Sequence, residues 1–316
     1  MDAKQIAVLI ALLGAATILF NTQATSSLSE FDAWKAKYGV SYSSQFENAY
    51  RERIFLENLA AINAHNARNG ETYSMGINQF SAMTQEEFEQ TYLGFIAPSD
   101  YQNIESNEGF TMPNDDIDWM AKGSVTGVKN QGQCGSCWAF STTGGLEGLW
   151  KEEHADKPVA SLSESELVDC SGSYGNQACN GGLMTNAFKY VMAKSITTEE
   201  EYPYKPVKQT CKATSTSRFY KIAGYVEVKN CDTLATSLVV RPQSVAVDAT
   251  NWSRYAGGVF NNCSNRLNHG VTLIGSKGGA WWIKNSWGAS WGEKGFIRLA
   301  GGNTCGVCNM ASYPKN

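Results

Sequence analysis

The amino-acid sequence predicts an α+β protein, in which a helical N-terminal segment precedes a module with a helical half and a strand-rich half. Residues 27–92 have helical periodicity and contain neither Cys nor Pro, and helical patterns return between about Cys137 and Ala193. From about Lys221 onward, short β-favouring runs predominate, namely KIAGYVEV, SVAVDA, GVTLIG, AWWIKN and GFIRLA. We therefore expect one two-lobed module behind a helical segment.

The composition is that of a globular protein, with an uneven distribution of charge. Of the 316 residues, 42% are hydrophobic and 18% charged, which argues against disorder, and 30 Gly against 7 Pro excludes collagen-like or Pro-rich sequence. The net charge of −4 gives no reason to expect a nucleic-acid partner. Residues 1–112 carry 6 Lys+Arg and 13 Asp+Glu, a net charge of −7, whereas residues 113–316 have a net charge of +3.

Residues 1–24 have the features of a secretory signal peptide. Lys4 precedes an apolar run from Ile6 to Phe20, and a small-x-small site, Thr22-Gln23-Ala24, follows. The run has 15 residues and is short for a membrane span, so we expect cleavage near Ala24 rather than an uncleaved membrane anchor. No other stretch approaches about 18 apolar residues, and we expect the remainder to be soluble.

The strongest helical pattern is FENAYRERIFLENLAAINAHN. One stripe of this helix, at steps of three or four residues, consists of Glu47, Arg51, Phe55, Asn58, Ile62 and Asn66. We interpret it as an amphipathic helix with an internal Glu47–Arg51 ion pair. Thr84 and Glu87 have the spacing of a capping box, which predicts a second, short helix. Residues 95–117 are polar and lack a periodic apolar face, which predicts a linker open to proteolytic cleavage.

All 9 cysteines lie from Cys134 onward, and an odd number in an exported protein predicts disulfides plus one free thiol. The pair Cys134-x-x-Cys137 admits three interpretations. A redox pair would lie early in a βαβ unit, which the sequence does not predict here. A zinc site shared with Cys305-x-x-Cys308 would have to span 167 intervening residues. A nucleophilic Cys137 at the start of a helix fits best, because the helix N–H dipoles favour a thiolate.

A nucleophilic thiol needs a base, and the chain has three histidines. His65 lies in the acidic segment before the linker, and would leave with it. His154 lies 17 residues after Cys137, about 25 Å away if the helix continues that far. Elimination leaves His269, although a lone histidine is more often structural. Asn285, at the end of an aromatic-rich predicted strand, is a candidate to orient the imidazole.

These residues resemble the papain family of cysteine endopeptidases, in the precursor form of its cathepsin L-like members. The family signature Cys-Gly-Ser-Cys-Trp stands here at Cys134 to Trp138. His269 and Asn285 follow Cys137 by 132 and 148 residues, within the family range. The helical stripe matches the ERFNIN motif of the family's prosegment.

The resemblance extends from about Leu28 to Pro314 and implies a papain-like two-lobe α+β fold. A helical left lobe and a β-barrel-like right lobe would follow a helical inhibitory prosegment. The implied domains are a signal peptide over residues 1–24, an I29-type propeptide over 25–112 and a peptidase domain over 113–316. The prosegment would run through the cleft in the direction opposite to a substrate and block Cys137. Cleavage near Met112–Asp115 would release it.

The resemblance also implies the roles of the site residues. Cys137 would be the nucleophile and His269 the general base and acid, held as an ion pair. Asn285 would orient His269, and Trp287 would shield their contact. Gln131, with the Cys137 backbone N–H, would form the oxyanion hole. The implied substrate-binding residues are Gly181 and Gly182, whose backbone would pair with an extended peptide, and Met184, Ala246, Leu267 and Met310.

Met310 would form the floor of the pocket for the second residue before the scissile bond, with Met184, Ala246 and Leu267 as its walls. None of these is an acid, so the resemblance implies a hydrophobic pocket. A bulky Met floor should favour Leu or Val over Phe or Tyr.

The family's three usual disulfides would be Cys134–Cys179, Cys170–Cys211 and Cys263–Cys305. With Cys137 free, Cys231 and Cys308 remain, and we predict a fourth bridge between them; the alternative is two unpaired buried thiols. The sequons Asn251-Trp252-Ser253 and Asn262-Cys263-Ser264 predict N-glycosylation, less favoured at Asn262 because a disulfide cysteine follows it.

One departure from the family concerns activation. The motif Gly-x-Asn-x-Phe-x-Asp reads here from Gly76 to Ala82, so that alanine replaces the acid that helps to set the pH of activation. As a substitute, we hypothesise that the acidic prosegment binds the mildly basic domain through complementary charge, and that it loosens as carboxylates become protonated below about pH 4–5.

The implied function is that of a cysteine endopeptidase made as a zymogen. The alternatives are a catalytically silent homologue acting as a binding or inhibitory protein, and a transpeptidase. The implied partners are protein and peptide substrates, the chain's own propeptide and cystatin-like inhibitors. No nucleic acid, stable membrane association, cofactor or metal is implied. We expect a monomer in the secretory pathway, either in a lysosome or similar acidic vacuole or secreted.

Overall fold

A computed structural model describes residues 30–99, 101, 110–112, 116–214 and 218–316. The predicted signal peptide with its cleavage site near Ala24 lies outside the described residues, as do residues 113–115 of the predicted activation cleavage zone. Among the described residues, no helix is both long enough and apolar enough to cross a membrane.

The N-terminal segment folds as the helical patterns predict. Helix α1 covers residues 30–38 of the described chain, α2 covers Gln45–Asn66 and α3 covers Gln85–Tyr92, with a short strand β1, Tyr73–Met75, between the last two. The capping box of α3 is present: the Thr84 hydroxyl accepts from Glu87 N–H, and the Glu87 carboxylate accepts from Thr84 N–H.

The two Asn residues of the α2 stripe bind the end of β1 and the chain segment that follows it. Asn66 exchanges two hydrogen bonds with the Met75 backbone, and Asn58 Nδ2 donates to the Ser81 and Met83 carbonyls. The expected Glu47–Arg51 ion pair is wrong. Arg51 instead pairs with Glu87 of α3 at 2.7 Å, because the folded segment brings a distant carboxylate closer than the neighbour on the same helix.

The helical lobe of the following module consists of α4 (Cys137–Glu153), α5 (Glu164–Cys170) and α6 (Met184–Lys194). Helix α4 is buried along most of its length and packs against the strand-rich lobe. Its glycines, unfavourable in an isolated helix, permit this close contact. A Cβ at Gly144 would lie 2.1 Å from Thr272 Oγ1 of a neighbouring strand.

The strand-rich lobe is built on one sheet with the order β1-β5-β8-β7-β6-β4-β9-β3, with β2 paired to β6. Its elements are β2 (Ile117–Asp118), β3 (Gly224–Val228), α7 (Cys231–Leu238), β4 (Gln243–Val247), β5 (Tyr255–Phe260), β6 (His269–Lys277), β7 (Ala280–Lys284), β8 (Phe296–Ala300) and β9 (Ala311–Lys315). The β5–β8 pair is parallel and the other strand pairs are antiparallel. Strand β1 of the N-terminal segment extends the sheet at its β5 edge.

Four disulfides link the described cysteines: Cys134–Cys179, Cys170–Cys211, Cys263–Cys305 and Cys231–Cys308. The last joins the start of α7 to the turn that precedes β9, and both of its cysteines are buried. Cys137 is the free cysteine among the described residues. Such a set of disulfides is typical of a chain that folds in the secretory pathway.

Candidate active site

Cys137 is the first residue of α4 and lies in the cleft between the lobes, with no exposed surface. Gly270, at the second position of β6, donates its N–H to Cys137 Sγ with an N–S distance of 3.3 Å. Since Gly270 directly follows His269, this contact brings the thiol of the helical lobe beside the histidine of the strand-rich lobe. The fold thus brings Cys137 and His269, which are 132 positions apart in the sequence, close together.

The His269 imidazole is oriented by Asn285 at the end of β7. His269 Nε2 lies 2.8 Å from Asn285 Oδ1, which also accepts from Ser286 N–H. This contact assigns the proton to Nε2 and leaves Nδ1 as the basic nitrogen; Nδ1 is buried without a hydrogen-bond partner among the described residues. The Trp287 ring covers the imidazole with 4.7 Å between ring centroids.

Burial shifts the pKa of both reactive groups in the direction that favours their neutral forms. Loss of solvent raises the pKa of the Cys137 thiol to about 11, although the N–H groups of Gly270, Gly94, Trp138 and Cys137 itself oppose the rise. Burial likewise lowers the pKa of His269 to about 4, against the opposing contact with Asn285. Desolvation thus opposes the thiolate–imidazolium pair implied by the resemblance for as long as the N-terminal segment covers the site.

Gln131 is held at every polar group. Its N–H donates to Ser286 O, and its Oε1 accepts from Ser286 Oγ at 2.8 Å and from Trp287 Nε1 at 3.1 Å. Its Nε2 donates to Cys134 O at 2.9 Å and to Tyr92 O at 3.0 Å. Tyr92 is the last residue of α3, so the N-terminal segment supplies an acceptor for this side-chain amide.

After α3 the chain enters the cleft and passes over Cys137. Gly94 O accepts from Gly182 N–H at 3.0 Å, Ile96 N–H donates to Gly182 O, and the Phe95–Gly182 bridge is parallel. Phe95 N–H also donates to Asn268 O. The predicted peptide-binding backbone at Gly182 thus contacts the chain's own segment.

The four residues assigned to the substrate pocket pack in one hydrophobic cluster with Phe95. Met184, Ala246 and Leu267 are buried, and Met310 is partly buried against them. An aromatic side chain of the precursor therefore lies in this cluster, which gives no support to the expected preference for Leu or Val over Phe or Tyr.

A wider cavity of about 320 Å³ adjoins the cluster, lined in part by Phe95, Met184 and Met310. Glu227 and Lys229, at and just beyond the end of β3, line it as well. Glu227 was not predicted from the sequence, because its β3 neighbours gave no sign of lying near the pocket. The same cavity is also lined by Lys229, so one acidic and one basic side chain lie at its wall.

An aromatic cluster packs the N-terminal segment against Trp287, the residue whose ring covers His269. Phe80, Phe88 and Tyr92 contact the Trp287 ring edge-on, with centroid distances of 5.5, 5.2 and 6.4 Å. Such contacts add about 0.5–1.5 kcal/mol each beyond the burial of apolar area. The same Trp287 that shields His269 is thus the anchor of the covering segment.

The hypothesis of complementary charge between the prosegment and the domain finds no support in the ion pairs. Every ion pair among the described ranges lies either within residues 30–99 or within residues 116–316. The two parts are joined instead by hydrogen bonds, such as Asn78 Nδ2 to Ser253 O, Gln79 Nε2 to Trp287 O and Arg254 Nη1 to Asn58 Oδ1, and by the aromatic contacts. In the last of these hydrogen bonds the cation of the domain meets a neutral amide and not an acid. Ala82, at the position of the missing acid, is buried in the core of the N-terminal segment.

The rejected alternatives are also clear in the structure. Cys134 is bonded to Cys179 and so is not part of a redox or zinc pair with Cys137. The described residues contain no cluster of side chains that could hold a metal ion. His65 lies in the N-terminal segment against Tyr73, and His154 stacks on Trp150 just after the last residue of α4, at the opposite end of the helix from Cys137.

The fold and the site define a class: a two-lobed thiol hydrolase covered by its own N-terminal inhibitory segment. A profile of the papain family cysteine proteases matches residues 113–315, and one of the cathepsin propeptide inhibitor domain (I29) matches residues 31–88. The chain belongs to the papain family of cysteine proteases and is a cathepsin L-like zymogen.

Relatives and solved structures agree along nearly the whole chain. "Cathepsin L 2" of Paramecium tetraurelia is 44% identical over 313 residues, covering 96% of this chain and 98% of that protein. The "Cathepsin L-like proteinase" of Fasciola hepatica is 40% identical over 302 residues, covering 89% and 91%. The structure of digestive procathepsin L 3 from Tenebrio molitor larval midgut superposes with a TM-score of 0.82 at 37% identity, covering 92% of this chain and 99% of that one.

Proposed function

We propose that the mature protein is an endopeptidase that attacks peptide bonds through Cys137, with a hydrophobic preference at the second residue before the scissile bond. The observation that carries this proposal is the convergence of Cys137, Gln131 and the His269–Asn285 pair on one cleft, covered by the chain's own segment. The sequence has no insertion like the one that makes some relatives exopeptidases, so cleavage within chains is expected.

In the proposed reaction, Cys137 Sγ adds to the carbonyl carbon and its proton passes to His269 Nδ1. Gln131 Nε2 and the Cys137 N–H stabilise the negative oxygen of the tetrahedral intermediate. The C–N bond then breaks as His269 gives the proton to the leaving amine, and a thioester remains. Water, deprotonated by the same Nδ1, hydrolyses the thioester and restores the thiol.

The prosegment avoids cleavage because of its direction. Its bridge with Gly182 is parallel, whereas a chain running the other way would pair antiparallel with the same backbone. The Tyr92 carbonyl, and not a carbonyl over Cys137, accepts from Gln131 Nε2. We propose that removal of this segment lets water reach the site, so that the Cys137–His269 ion pair can form.

A series of peptides that differ only at the second residue before the scissile bond tests the specificity. We expect kcat/KM to be highest for Leu, to remain within about tenfold for Phe, and to fall by about tenfold or more for Arg, because the cluster around Met310 is apolar. Glu227→Gln serves as the control, since Glu227 is the one acid that lines the cavity among the described residues. A preference for Arg in the wild type would contradict the pocket assignment.

We propose that the Arg51–Glu87 pair takes part in activation by acid. Arg51 holds the pKa of Glu87 below its usual range, so the carboxylate stabilises the docked prosegment above the pKa of free Glu. This stabilisation is lost as the pH falls through the lowered pKa. Protonation would weaken both the ion pair and the cap of α3, which carries Phe88 and Tyr92 to Trp287.

Glu87→Gln is expected to shift the pH profile of self-processing upward, because the amide resembles the protonated acid. The processing rate near pH 6 should rise about two- to fivefold, as expected for a partly exposed pair worth about 0.5–1 kcal/mol. Processing is followed by mass at constant ionic strength from pH 4 to pH 7. Glu86→Gln is the matched control on the same helix, and an equal shift there would point to general charge instead of this pair.

We propose that the chain is processed in three parts: a signal peptide over residues 1–24, a propeptide over 25–112 and a peptidase domain over 113–316. The mature enzyme would act in an acidic vacuole such as the lysosome, or after secretion. Cystatin-like proteins would inhibit it.

We also propose N-glycosylation at Asn251 and Asn262. Both side chains are exposed, which supports them as glycosylation sites. Asn262 Nδ2 also donates to the Tyr73 hydroxyl of the prosegment, so a glycan there would lie at the edge of β1.

A further inference from the structure

The two proposed donors of the oxyanion hole lie at opposite ends of one short loop. Gln131 begins the loop, and Ser136 ends it immediately before Cys137 at the start of α4. The Gln131 side chain and N–H are fastened to Ser286 and Trp287 of the strand-rich lobe. Cys137 belongs to the helical lobe. The distance between the Gln131 side-chain amide and the Cys137 N–H therefore depends on the contacts that hold the two ends of the loop together.

Tyr204 bonds to both ends of this loop through one hydroxyl group. Its Oη donates to Gln131 O at 2.8 Å and lies 2.7 Å from Ser136 Oγ, so a chain of hydrogen bonds runs from Ser136 through Tyr204 to Gln131. Ser136 is fully buried, and although it occupies the N-cap position of α4, its side chain makes no capping bond. Its hydroxyl is directed to Tyr204 instead.

Tyr204 is itself held in place by the helical lobe. Its ring contacts Phe140 of the first turn of α4 edge-on, with 4.8 Å between centroids, and its N–H donates to Glu199 Oε1 at 2.7 Å. Two residues later, the Pro206 ring packs on Gly132, where an added Cβ would lie 2.9 Å away. The segment from Tyr204 to Pro206 thus packs along the outside of the loop.

We propose that Tyr204 is a positioning residue for the oxyanion hole, which keeps the Gln131 amide and the Cys137 N–H at the separation that the tetrahedral intermediate requires. The inference rests on the role proposed above for Gln131. Tyr204 touches neither substrate nor the reacting atoms; it acts through Gln131 O and Ser136 Oγ. Because misplacement of a donor weakens stabilisation of the intermediate more than binding of the substrate, its loss should lower kcat and leave KM unchanged.

The test is Tyr204→Phe, which removes the hydroxyl and keeps the ring on Phe140. In the activated enzyme we expect kcat to fall about tenfold, a fraction of the 10²–10³-fold loss typical when an oxyanion-hole donor is removed, with KM within about twofold. The rate of alkylation of Cys137 by iodoacetamide should be unchanged, because that reaction develops no oxyanion. The matched control is Tyr202→Phe, in which a hydroxyl bonded to Asp169 is lost two residues away, and which should lower thermal stability without affecting kcat.

A double-mutant cycle separates positioning from general damage. If Tyr204 acts through Gln131, Tyr204→Phe should have no further effect on kcat in a Gln131→Ala background. A full additional loss there, an unchanged kcat in the single variant, or a parallel loss of alkylation rate would overturn the proposal. If Gln131→Ala alone keeps the wild-type kcat, it is the proposed role of Gln131 that fails. Should Tyr204→Phe not fold, Ser136→Ala breaks the same chain and is expected to lower kcat about threefold with the same pattern.

Discussion

Cys137→Ala is expected to abolish both peptide hydrolysis and self-processing of the precursor. The thiol is the free cysteine among the described residues, and it accepts the N–H of Gly270, which directly follows His269. Loss of a catalytic nucleophile typically lowers the rate by about 10⁴-fold or more, whereas the fold should be retained because alanine fits the space of cysteine. The measurement shifts purified precursor from about pH 7 to about pH 4.5 with reductant, and follows mass and hydrolysis of a Leu-Arg fluorogenic peptide.

His269→Ala should have a similar effect, and His154→Ala is its matched control. His154 undergoes the same chemical change at the far end of α4, where its ring stacks on Trp150 and contacts no site residue. The assignment would be established if the wild type and His154→Ala lose the first ~112 residues and become active, whereas Cys137→Ala and His269→Ala do neither. Activity retained by Cys137→Ala would contradict it. An inert wild type, even after an added protease trims the prosegment, would instead favour a silent homologue.

The reactive groups could be predicted from the sequence because their chemistry restricts them to few positions. Cys137 was the one cysteine predicted at the start of a helix, and elimination among three histidines left His269 as its base. In the structure, Gly270, which directly follows His269, donates its N–H to Cys137 Sγ. The long helix α2 and the capping box at Thr84 followed from local periodicity and spacing. The predicted Cys231–Cys308 bridge is present; it joins the two cysteines that remained after the other three disulfides and the free Cys137 had been assigned.

Contacts that depend on distant chain segments were not predictable in this way. Strand β5 contains Gly257 and Gly258, which a strand pattern disfavours, and it forms by pairing with β1 and β8. Arg51 was expected to pair along its own helix, yet α3 presents Glu87 to it. Tyr204 joins Gln131 across 73 positions and has no local signal. The raised pKa of Cys137 and the lowered pKa of His269 result from burial, which sequence does not reveal.

Gly94→Ala is expected to open the active site of the intact precursor. An added Cβ at Gly94 would lie 2.0 Å from Gly135 O and 2.4 Å from Gly135 C, both backbone atoms. No side-chain rotation relieves such a clash, and the Gly135 loop is held by the Cys134–Cys179 disulfide. The covering segment must therefore move away from Cys137. Overpacking of this kind costs about 1–3 kcal/mol. Because each 1.4 kcal/mol is a factor of ten, a cost of about 1.4–2.8 kcal/mol raises the exposed fraction of sites by about 10- to 100-fold.

The measurement is the rate at which iodoacetamide alkylates Cys137 in full-length precursor at neutral pH. The wild type should react slowly, because the thiol is fully buried and burial raises its pKa to about 11, whereas Gly94→Ala should react about 10- to 100-fold faster. Gly172→Ala is the matched control, since an added Cβ there meets nothing within 4 Å. An alkylation rate in Gly94→Ala no faster than in Gly172→Ala would mean that the close contact of Gly94 with the Gly135 backbone does not hold the cleft shut. Inhibition would then rest on the aromatic anchor at Trp287, whose contacts with Phe80, Phe88 and Tyr92 are independent of residue 94.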